Sequence, residues 1–377
     1  MTEPSLNLVP EYNRRRGNVP WLRFLDGMTY TSAVGGALVM VALVILLLAV
    51  VGHGALPAYK KFGLSFLTST RWSPHPPERE DMPPPEQVFG ARTAITGTLL
   101  TSIIALLISF PVSMGTAIFL TKLAPKLRIP VPSGSREHRW KWISLRHGVT
   151  VIRFMVELLA AIPSIAYGLW GVVVLAPFLQ SLQPFLSGTE TLRKLPAIGE
   201  SLPDWHVGLN LSQWPWVGEY FLNSGYGTNV VTAGIILSIM VTPIITAIIR
   251  DVLSVTPPEL EQGALGLGAT WWQATRMVLG FSKMGILGAV ILGFARAIGE
   301  TMAVTMVIGN SGAPDNSLFS PGQTIASLLA VQFRNADTNG EIDALVYAAF
   351  VLLVITMVIN GVARLLIVRV AGKAGRK

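Results

Sequence analysis

Residues 288–310 read GAVILGFARAIGETMAVTMVIGN. The stretch is apolar enough to cross a lipid bilayer, yet it carries two charged side chains, Arg296 and Glu300, near its centre. An isolated Arg at the middle of a membrane helix costs roughly 2.5–3.5 kcal/mol on insertion scales, and such residues usually face the bundle interior or a water-filled path. The stretch therefore predicts a membrane protein in which this pair has a structural or a functional task.

The whole chain has the composition of a polytopic membrane protein. Of its 377 residues, 51% are hydrophobic and 13% are charged, whereas soluble domains average about 25% charged residues. The mean hydropathy is +0.53. The chain has no cysteine and only 5 histidines, so we expect neither disulfides nor a metal site. The net charge of +8 fits basic cytoplasmic loops and membrane lipid better than nucleic acid.

Apolar segments of about 20 residues are long enough to span the hydrocarbon core. Segments of this kind lie at residues 31–51, 93–120, 154–180, 229–249, 285–309 and 344–367. They predict an all-α fold with six transmembrane helices. Pro111 interrupts the second segment and Pro163 the third, so we expect both helices to be bent.

The distribution of basic residues orients the predicted helices. Most of the 29 Lys and Arg residues fall in alternate loops and at both ends of the chain, which places both termini in the cytoplasm. The predicted organisation is a cytoplasmic tail (1–30), a first helix (31–51), a Pro-rich outer loop (52–92), a permease core (93–367) with a cytoplasmic loop (250–284), and a basic tail (368–377). The aromatic outer loop 181–228 fits either an interfacial belt or a docking surface.

Catalytic sequence motifs are absent. The chain has no G-x-x-x-x-G-K-[ST] phosphate loop, no G-x-S-x-G and no H-E-x-x-H. We therefore expect a chain that is not an enzyme and binds no cofactor. If its task requires ATP, a separate subunit must bind and hydrolyse it.

The cytoplasmic loop 250–284 contains a predicted short helix. Pro257 and Pro258 can begin it, and Glu261 lies in the first turn, where the helix dipole favours acidic residues. Small residues, Gly263 and Ala264, follow. A helix with such a face can sit in the groove of a partner protein, although a purely structural hairpin is equally compatible with the residues.

This loop resembles the EAA coupling loop of bacterial ABC importer permeases. The stretch QGALGLG at 262–268 aligns with the pattern E-A-A-x-x-x-G. Gln262 takes the Glu position, Gly263 and Ala264 the small positions, and Gly268 the glycine. Glu261 lies one position before Gln262. The resemblance implies that these five residues couple the chain to an ATPase subunit.

A second resemblance is more specific. The stretches at 157–177 (ELLAAIPSIAYGLWGVVVLAP), 288–310 and 321–333 (PGQTIASLLAVQF) are similar to the permease of the bacterial phosphate-specific ABC importer, the PstC type. The resemblance covers residue 90 to the C-terminus. It implies a type I importer permease fold in the bacterial inner membrane. The implied partners are a second, related permease in a heterodimer, a dimer of ATP-binding subunits and a periplasmic phosphate-binding protein.

Arg296 and Glu300 are the main candidates for a translocation path. Four residues apart on a helix, they would share a face close to the bilayer midplane. A simple ion pair that fixes helix packing is one interpretation. The other is that Arg296 offers its planar guanidinium to a tetrahedral oxyanion while Glu300 holds it in place. The spacing of Ala289 and Gly293 predicts a close approach of another helix.

Polar residues of the third segment are further candidates. Glu157 is either interfacial or part of an inner gate, and Ser164 and Tyr167 either donate hydrogen bonds into the path or satisfy the backbone near Pro163. The resemblance to the phosphate-specific importer implies that the chain is the permease subunit of an ATP-driven phosphate importer, and these residues are compatible with that function. The alternatives are a permease for sulfate or molybdate, a stand-alone channel or secondary transporter, and a membrane scaffold without a path.

Overall fold

The computed structural model describes residues 20–73, 87–124, 128–132, 140–144, 146–187, 226–312 and 317–374. Within these ranges, 6 helical stretches are long and apolar enough to cross a membrane. They are Gly27–Phe62, Arg92–Leu123, Ser164–Leu182, Val230–Ser254, Trp271–Ile298 and Asn339–Leu365. The predicted number of spans and the helical fold class are therefore confirmed.

The helices and strands follow one another in a simple order. The first part of the chain forms α1 (Pro20–Phe62), α2 (Ser65–Thr68), β1 (Trp72–Ser73), β2 (Val88–Phe89), α3 (Arg92–Ile118), β3 (Arg128–Pro132), β4 (Trp140–Ser144), α4 (Arg146–Ala161), α5 (Ser164–Trp170) and α6 (Ala176–Ser187). The second part forms α7 (Val230–Ser254), α8 (Pro258–Gly266), α9 (Trp271–Ile298), α10 (Met302–Val307), α11 (Ile325–Gln332) and α12 (Asn339–Ala374). A π-helical turn at Phe119–Leu123 continues α3, and another at Gly171–Leu175 joins α5 to α6. The strands pair antiparallel, β1 with β2 and β3 with β4.

The central helix of the bundle is α7. In its most apolar window 67% of the residues are buried, compared with 28% in the spans formed by α3 and α9. Small residues let its neighbours come close: a Cβ added at Gly293 of α9 would lie 2.5 Å from Ile245 Cδ1. Ala289, one turn earlier, is fully buried. The close approach predicted from Ala289 and Gly293 is thus confirmed, and α9 is fixed against the centre of the bundle.

The first and last spans pack together beside this bundle. Tyr347 of α12 stacks at 4.6 Å between ring centroids on Phe66 of α2, and its hydroxyl donates a hydrogen bond to the carbonyl of Gly63. The most apolar window of α1 has no buried residue. One face of this long helix is therefore left open along the membrane.

Several element boundaries differ from the predicted ones. Helix α1 begins at Pro20 and ends at Phe62, so it is longer than the predicted 31–51. Helix α3 continues through Pro111 instead of breaking there, because neighbouring groups in a bundle can satisfy the carbonyl that a proline frees. Helix α12 extends to Ala374 and includes much of the predicted tail 368–377. The Pro-rich residues 74–86 and the aromatic residues 188–225 lie outside the described residues.

Candidate functional site

The predicted fifth segment, 285–309, is interrupted where its charges lie, and the span itself, Trp271–Ile298, ends before Glu300. Helix α9 ends at Ile298, residues 299–301 are not helical, and α10 begins at Met302. Arg296 occupies the last turn of α9, whereas Glu300 lies in the break. The prediction that both residues share the face of one continuous helix is therefore wrong. The predicted segment 285–309 is two helices joined by a short non-helical turn.

Each of the two charges complements the helix end beside it. Arg296 lies at the C-terminal, partially negative end of α9, and Glu300 lies before the partially positive N-terminus of α10. Glu300 Oε1 accepts a hydrogen bond of 3.3 Å from the backbone N–H of Ala303. The dipoles of the two helix ends thus favour both charges within an apolar segment. This explains how the sequence accommodates them.

Arg296 remains accessible in the folded chain. Its side chain is exposed. It forms neither a hydrogen bond nor an ion pair with any residue that the structure describes, Glu300 included. The preceding charged residue of α9 is Lys283, 13 residues earlier, which corresponds to about 20 Å along the helix axis. The guanidinium, which has no partner among the described residues, therefore lies about 20 Å beyond Lys283, at the end of α9.

A second interrupted segment lies against the first. The predicted third segment, 154–180, breaks at Ile162 and Pro163, between α4 and α5, as the position of Pro163 predicted, and the span itself begins after the break, at Ser164. The hydroxyl of Tyr167 donates a 2.7 Å hydrogen bond across this break to the carbonyl of Leu159. Ser164 is the first residue of α5 and is partly buried. Tyr167 therefore satisfies broken backbone, one of the two roles that the sequence left open.

The two interrupted segments touch where α5 crosses α10. A Cβ added at Gly168 would lie 3.0 Å from Ala303 Cα and 2.9 Å from Met306 Sδ. Because Ala303 also donates to Glu300, the crossing places α5, which carries Ser164 and Tyr167, beside the break that contains Glu300. Three of the five predicted path residues therefore lie on elements that meet here, and Arg296 lies four residues before Glu300, at the end of α9.

Glu157 belongs to a different site. Its Oε1 accepts a hydrogen bond of 2.7 Å from Arg250 Nη1, and Arg250 also pairs with Asp251 at 2.9 Å. The ion pair connects α4 to the last turns of α7. The side chain of Glu157 is 51% exposed, whereas that of Arg250 is 13% exposed. Sequence reasoning treated Arg250 only as a loop charge and missed this contact.

The predicted coupling residues form a short protruding helix. Glu261, Gln262, Gly263 and Ala264 lie on α8, and Gly268 follows it with φ +85°, a conformation that favours glycine. No residue of α8 is buried. A Cβ added at Gly263 or at Gly268 would have no heavy atom within 4 Å. The small-residue face is therefore open.

Exposed apolar side chains surround this helix. They are Val255, Leu265, Leu267 and Trp272, of which Leu267 is 92% exposed. An apolar surface of this kind around a small-residue helix is suited to a protein partner.

Glu261 differs from its neighbours on α8. Its Oε2 lies 2.7 Å from Nζ of Lys122, and both side chains are only 13% exposed. Lys122 belongs to the π-helical turn that ends the second span. Glu261 therefore contacts its own transmembrane bundle. Lys122 is one of many basic residues between 121 and 153 in the sequence, so no local signal distinguishes it.

A further hydrogen bond lies at the start of the predicted coupling segment, 250–284. The hydroxyls of Thr256 and Ser282 lie 2.7 Å apart and are buried. This contact connects the end of α7 to α9. Together with the Lys122–Glu261 pair, it attaches both sides of the coupling segment to membrane-spanning helices.

Comparisons with known proteins agree with this architecture. The family described as binding-protein-dependent transport system inner membrane component matches residues 147–373. The phosphate transport system permease protein PstC of Haemophilus influenzae is 37% identical over 366 residues, which covers 97% of this chain and 99% of that protein. PstC of Mesorhizobium japonicum is 38% identical, with 85% and 84% covered.

A more distant relative and a solved structure extend the comparison. A probable phosphate transport system permease protein PstC of Methanocaldococcus jannaschii is 33% identical, with 85% of this chain and 87% of that protein covered. A chain of the MetNI methionine ABC transporter in inward-facing conformations superposes with a TM-score of 0.47 and 13% identity, over 74% of this chain and 94% of that chain. From the sequence relatives and the matched family, the chain belongs to the PstC permeases, within the binding-protein-dependent transport system inner membrane components.

Proposed function

We propose that this chain forms one half of the membrane path of an ATP-driven importer of inorganic phosphate. The observation that carries the proposal is that Arg296 is exposed at the end of α9. The sequence also matches relatives that are named phosphate transport permeases, and the match covers nearly the whole length of both proteins. The guanidinium presents a planar fork of N–H donors that suits the oxygens of a tetrahedral oxyanion. As a multi-pass inner-membrane protein, the chain would have both termini in the cytoplasm.

Because the Arg296 side chain is exposed on this chain, it would face a path between two subunits. We infer that a second, related permease completes it, and that a periplasmic binding protein delivers phosphate. Glu300, bonded to the backbone of α10, would limit how tightly the anion binds, because a transport site must also release its cargo.

ATP hydrolysis would belong to a dimer of separate ATP-binding subunits, and this chain would be non-catalytic and cofactor-free. The open face of α8 would fit a groove on the ATPase. When the ATPase dimer closes, α8 would move with it. The Lys122–Glu261 pair would pass this displacement to the second span, and the Thr256–Ser282 bond would pass it to α9. That motion would expose Arg296 alternately to the two sides of the membrane.

Uptake of labelled phosphate into proteoliposomes that contain the assembled importer tests the path. Arg296→Gln should abolish uptake while assembly is retained, and Arg296→Lys should impair it because an ammonium lacks the planar fork. Arg364→Gln, which removes an exposed Arg of α12, is the matched control and should transport normally. Normal uptake by Arg296→Gln would reject the path role. Strong inhibition of phosphate uptake by excess sulfate or molybdate would indicate a permease for another oxyanion.

Cross-linking tests the coupling role separately. The chain has 0 cysteines, so Gly263→Cys introduces a single thiol on the open face of α8. A cross-link to the ATP-binding subunit is expected. Its absence in a complex that still assembles would count heavily against α8 as the coupling helix.

A further inference from the structure

An apolar groove lies between the first and last spans, outside the proposed path. It has a volume of about 670 Å³ and is open to the outside of the chain. Its lining is almost wholly apolar and includes Gly52, Leu56 and Tyr59 of α1 and Tyr347, Phe350 and Ile355 of α12. Volumes between 300 and 1,000 Å³ are typical of small-molecule sites. The groove is thus of a size to hold part of a small ligand.

The groove runs along the helices. On α1 its lining extends from Gly52 to Tyr59, and on α12 from Tyr347 to Ile355. At 1.5 Å per residue, these stretches correspond to about 10–12 Å along the helix axes. One end lies beside the last turn of α1, and the other lies deeper in the apolar span. The groove is therefore oriented like an acyl chain in a bilayer.

The two ends of the groove differ in polarity. At the last turn of α1, Lys60 and Lys61 are both exposed. Lys60 follows Leu56 by four residues and so shares the helix face that lines the groove. Lys61 Nζ lies 5.2 Å from the ring centroid of Phe62. The ammonium group of Lys60 thus lies beside the end of the apolar groove, whereas Lys61, two residues after Tyr59, lies on the opposite face of α1.

Aromatic contacts fix the shape of this mouth. Tyr59 and Tyr347 pack edge to face with ring centroids 6.1 Å apart. The Tyr347 hydroxyl donates a hydrogen bond of 3.2 Å to the carbonyl of Gly63. Gly63 has φ +55° and turns the chain away at the end of α1. The mouth is therefore held in place by the fold and needs no ligand to form.

We propose that this groove binds one anionic glycerophospholipid. One acyl chain would lie against Leu56 and Phe350, and the headgroup phosphate would contact Lys60. A basic mouth above an apolar, membrane-facing groove matches both parts of such a molecule. Lys60 does not belong to the proposed path, so lipid binding is independent of the proposed transport function.

Native mass spectrometry of the purified, assembled complex tests the site. Dioleoyl phosphatidylglycerol and dioleoyl phosphatidylcholine are the probes, because they share acyl chains and differ in charge. One phosphatidylglycerol should be retained in preference to phosphatidylcholine. Lys60→Gln should lower the affinity for phosphatidylglycerol about fivefold and leave that for phosphatidylcholine nearly unchanged. Lys61→Gln, which removes a charge from the opposite face of α1, is the matched control and should leave both affinities unchanged.

A groove-filling variant addresses the apolar half. Leu56→Trp should reduce binding of both lipids, whereas Leu46→Trp, at an exposed position of α1 outside the groove, should not. Equal retention of both lipids in the wild type and in the Lys60 variant would overturn the headgroup contact. If Leu56→Trp leaves lipid binding intact and instead prevents co-purification of the second permease, the groove is a protein interface and the proposal fails.

Discussion

Replacing Lys122 with Met tests whether one ion pair helps to hold α8 against the bundle. The Lys122 Nζ–Glu261 Oε2 distance is 2.7 Å, and each side chain is 13% exposed. The variant should therefore loosen residues 258–266 without unfolding the membrane-spanning helices.

The size of the effect follows from the burial of the pair. Exposed ion pairs contribute about 0–1 kcal/mol, whereas hydrogen bonds to charged groups that are largely shielded from water contribute about 1.5–3 kcal/mol. At 13% exposure the Lys122–Glu261 pair belongs to the second class. Since 1.4 kcal/mol is a factor of ten, local opening of α8 should become about 10- to 150-fold more frequent in Lys122→Met.

Hydrogen exchange measured by mass spectrometry on the assembled importer reports this opening. Peptides that cover 258–266 should exchange faster by that factor, while peptides from α7 should be unchanged. Lys283→Met removes an exposed Lys and serves as the control. Glu261→Gln removes the same ion pair from the other side and should also speed exchange at 258–266. Unchanged exchange at 258–266 in Lys122→Met would refute the role of the pair.

Thermal melting of the purified chain checks the remaining predictions. Gly97→Ala should destabilise the fold by about 2–4 kcal/mol, because the new Cβ would lie 2.1 Å from the backbone oxygen of Gln323. A backbone oxygen cannot move aside as a side chain can. A melting temperature equal to that of the wild type would contradict the packing of α3. Gly268→Ala should cost about 1 kcal/mol, since φ is +85° but no atom obstructs the new methyl group, and a loss above 4 kcal/mol would indicate an unrecognised contact. Glu157→Gln should cost less than about 1 kcal/mol of stability because the carboxylate is 51% exposed. Arg250→Met loses two ion pairs and should cost about 2 kcal/mol. A larger loss of stability in Glu157→Gln than in Arg250→Met would contradict the assigned burial.

The sequence alone determined the number of spans and the location of α8. Apolar length is a local property, and a stretch of about 20 apolar residues crosses a bilayer whatever it packs against. The glycines and prolines around α8 likewise mark a short helix and its ends through local backbone preferences. The residues at 288–310 were sufficient to indicate the family. For these reasons each of the six spans overlaps its predicted segment, although the fifth, Trp271–Ile298, begins 14 residues before the predicted 285–309, and α8 lies within the predicted loop 250–284.

Only the tertiary structure decided which polar residues act together. The partners in the Lys122–Glu261 pair are 139 residues apart, and those in the Glu157–Arg250 pair are 93 residues apart. No local pattern records such a pairing, because it depends on which helix ends meet at one side of the bundle.

The break at residues 299–301, which follows Arg296 and contains Glu300, also depends on contacts between distant parts of the chain. Residues 299–301 include no proline, and their sequence does not forbid a continuous helix. In the folded chain α5 packs closely against α10 through Gly168 and Ala303. Whether a helix continues or stops at such a point depends on packing against another span. The position of each charge relative to its helix end, and thus the accessibility of Arg296, is a property of the assembled bundle.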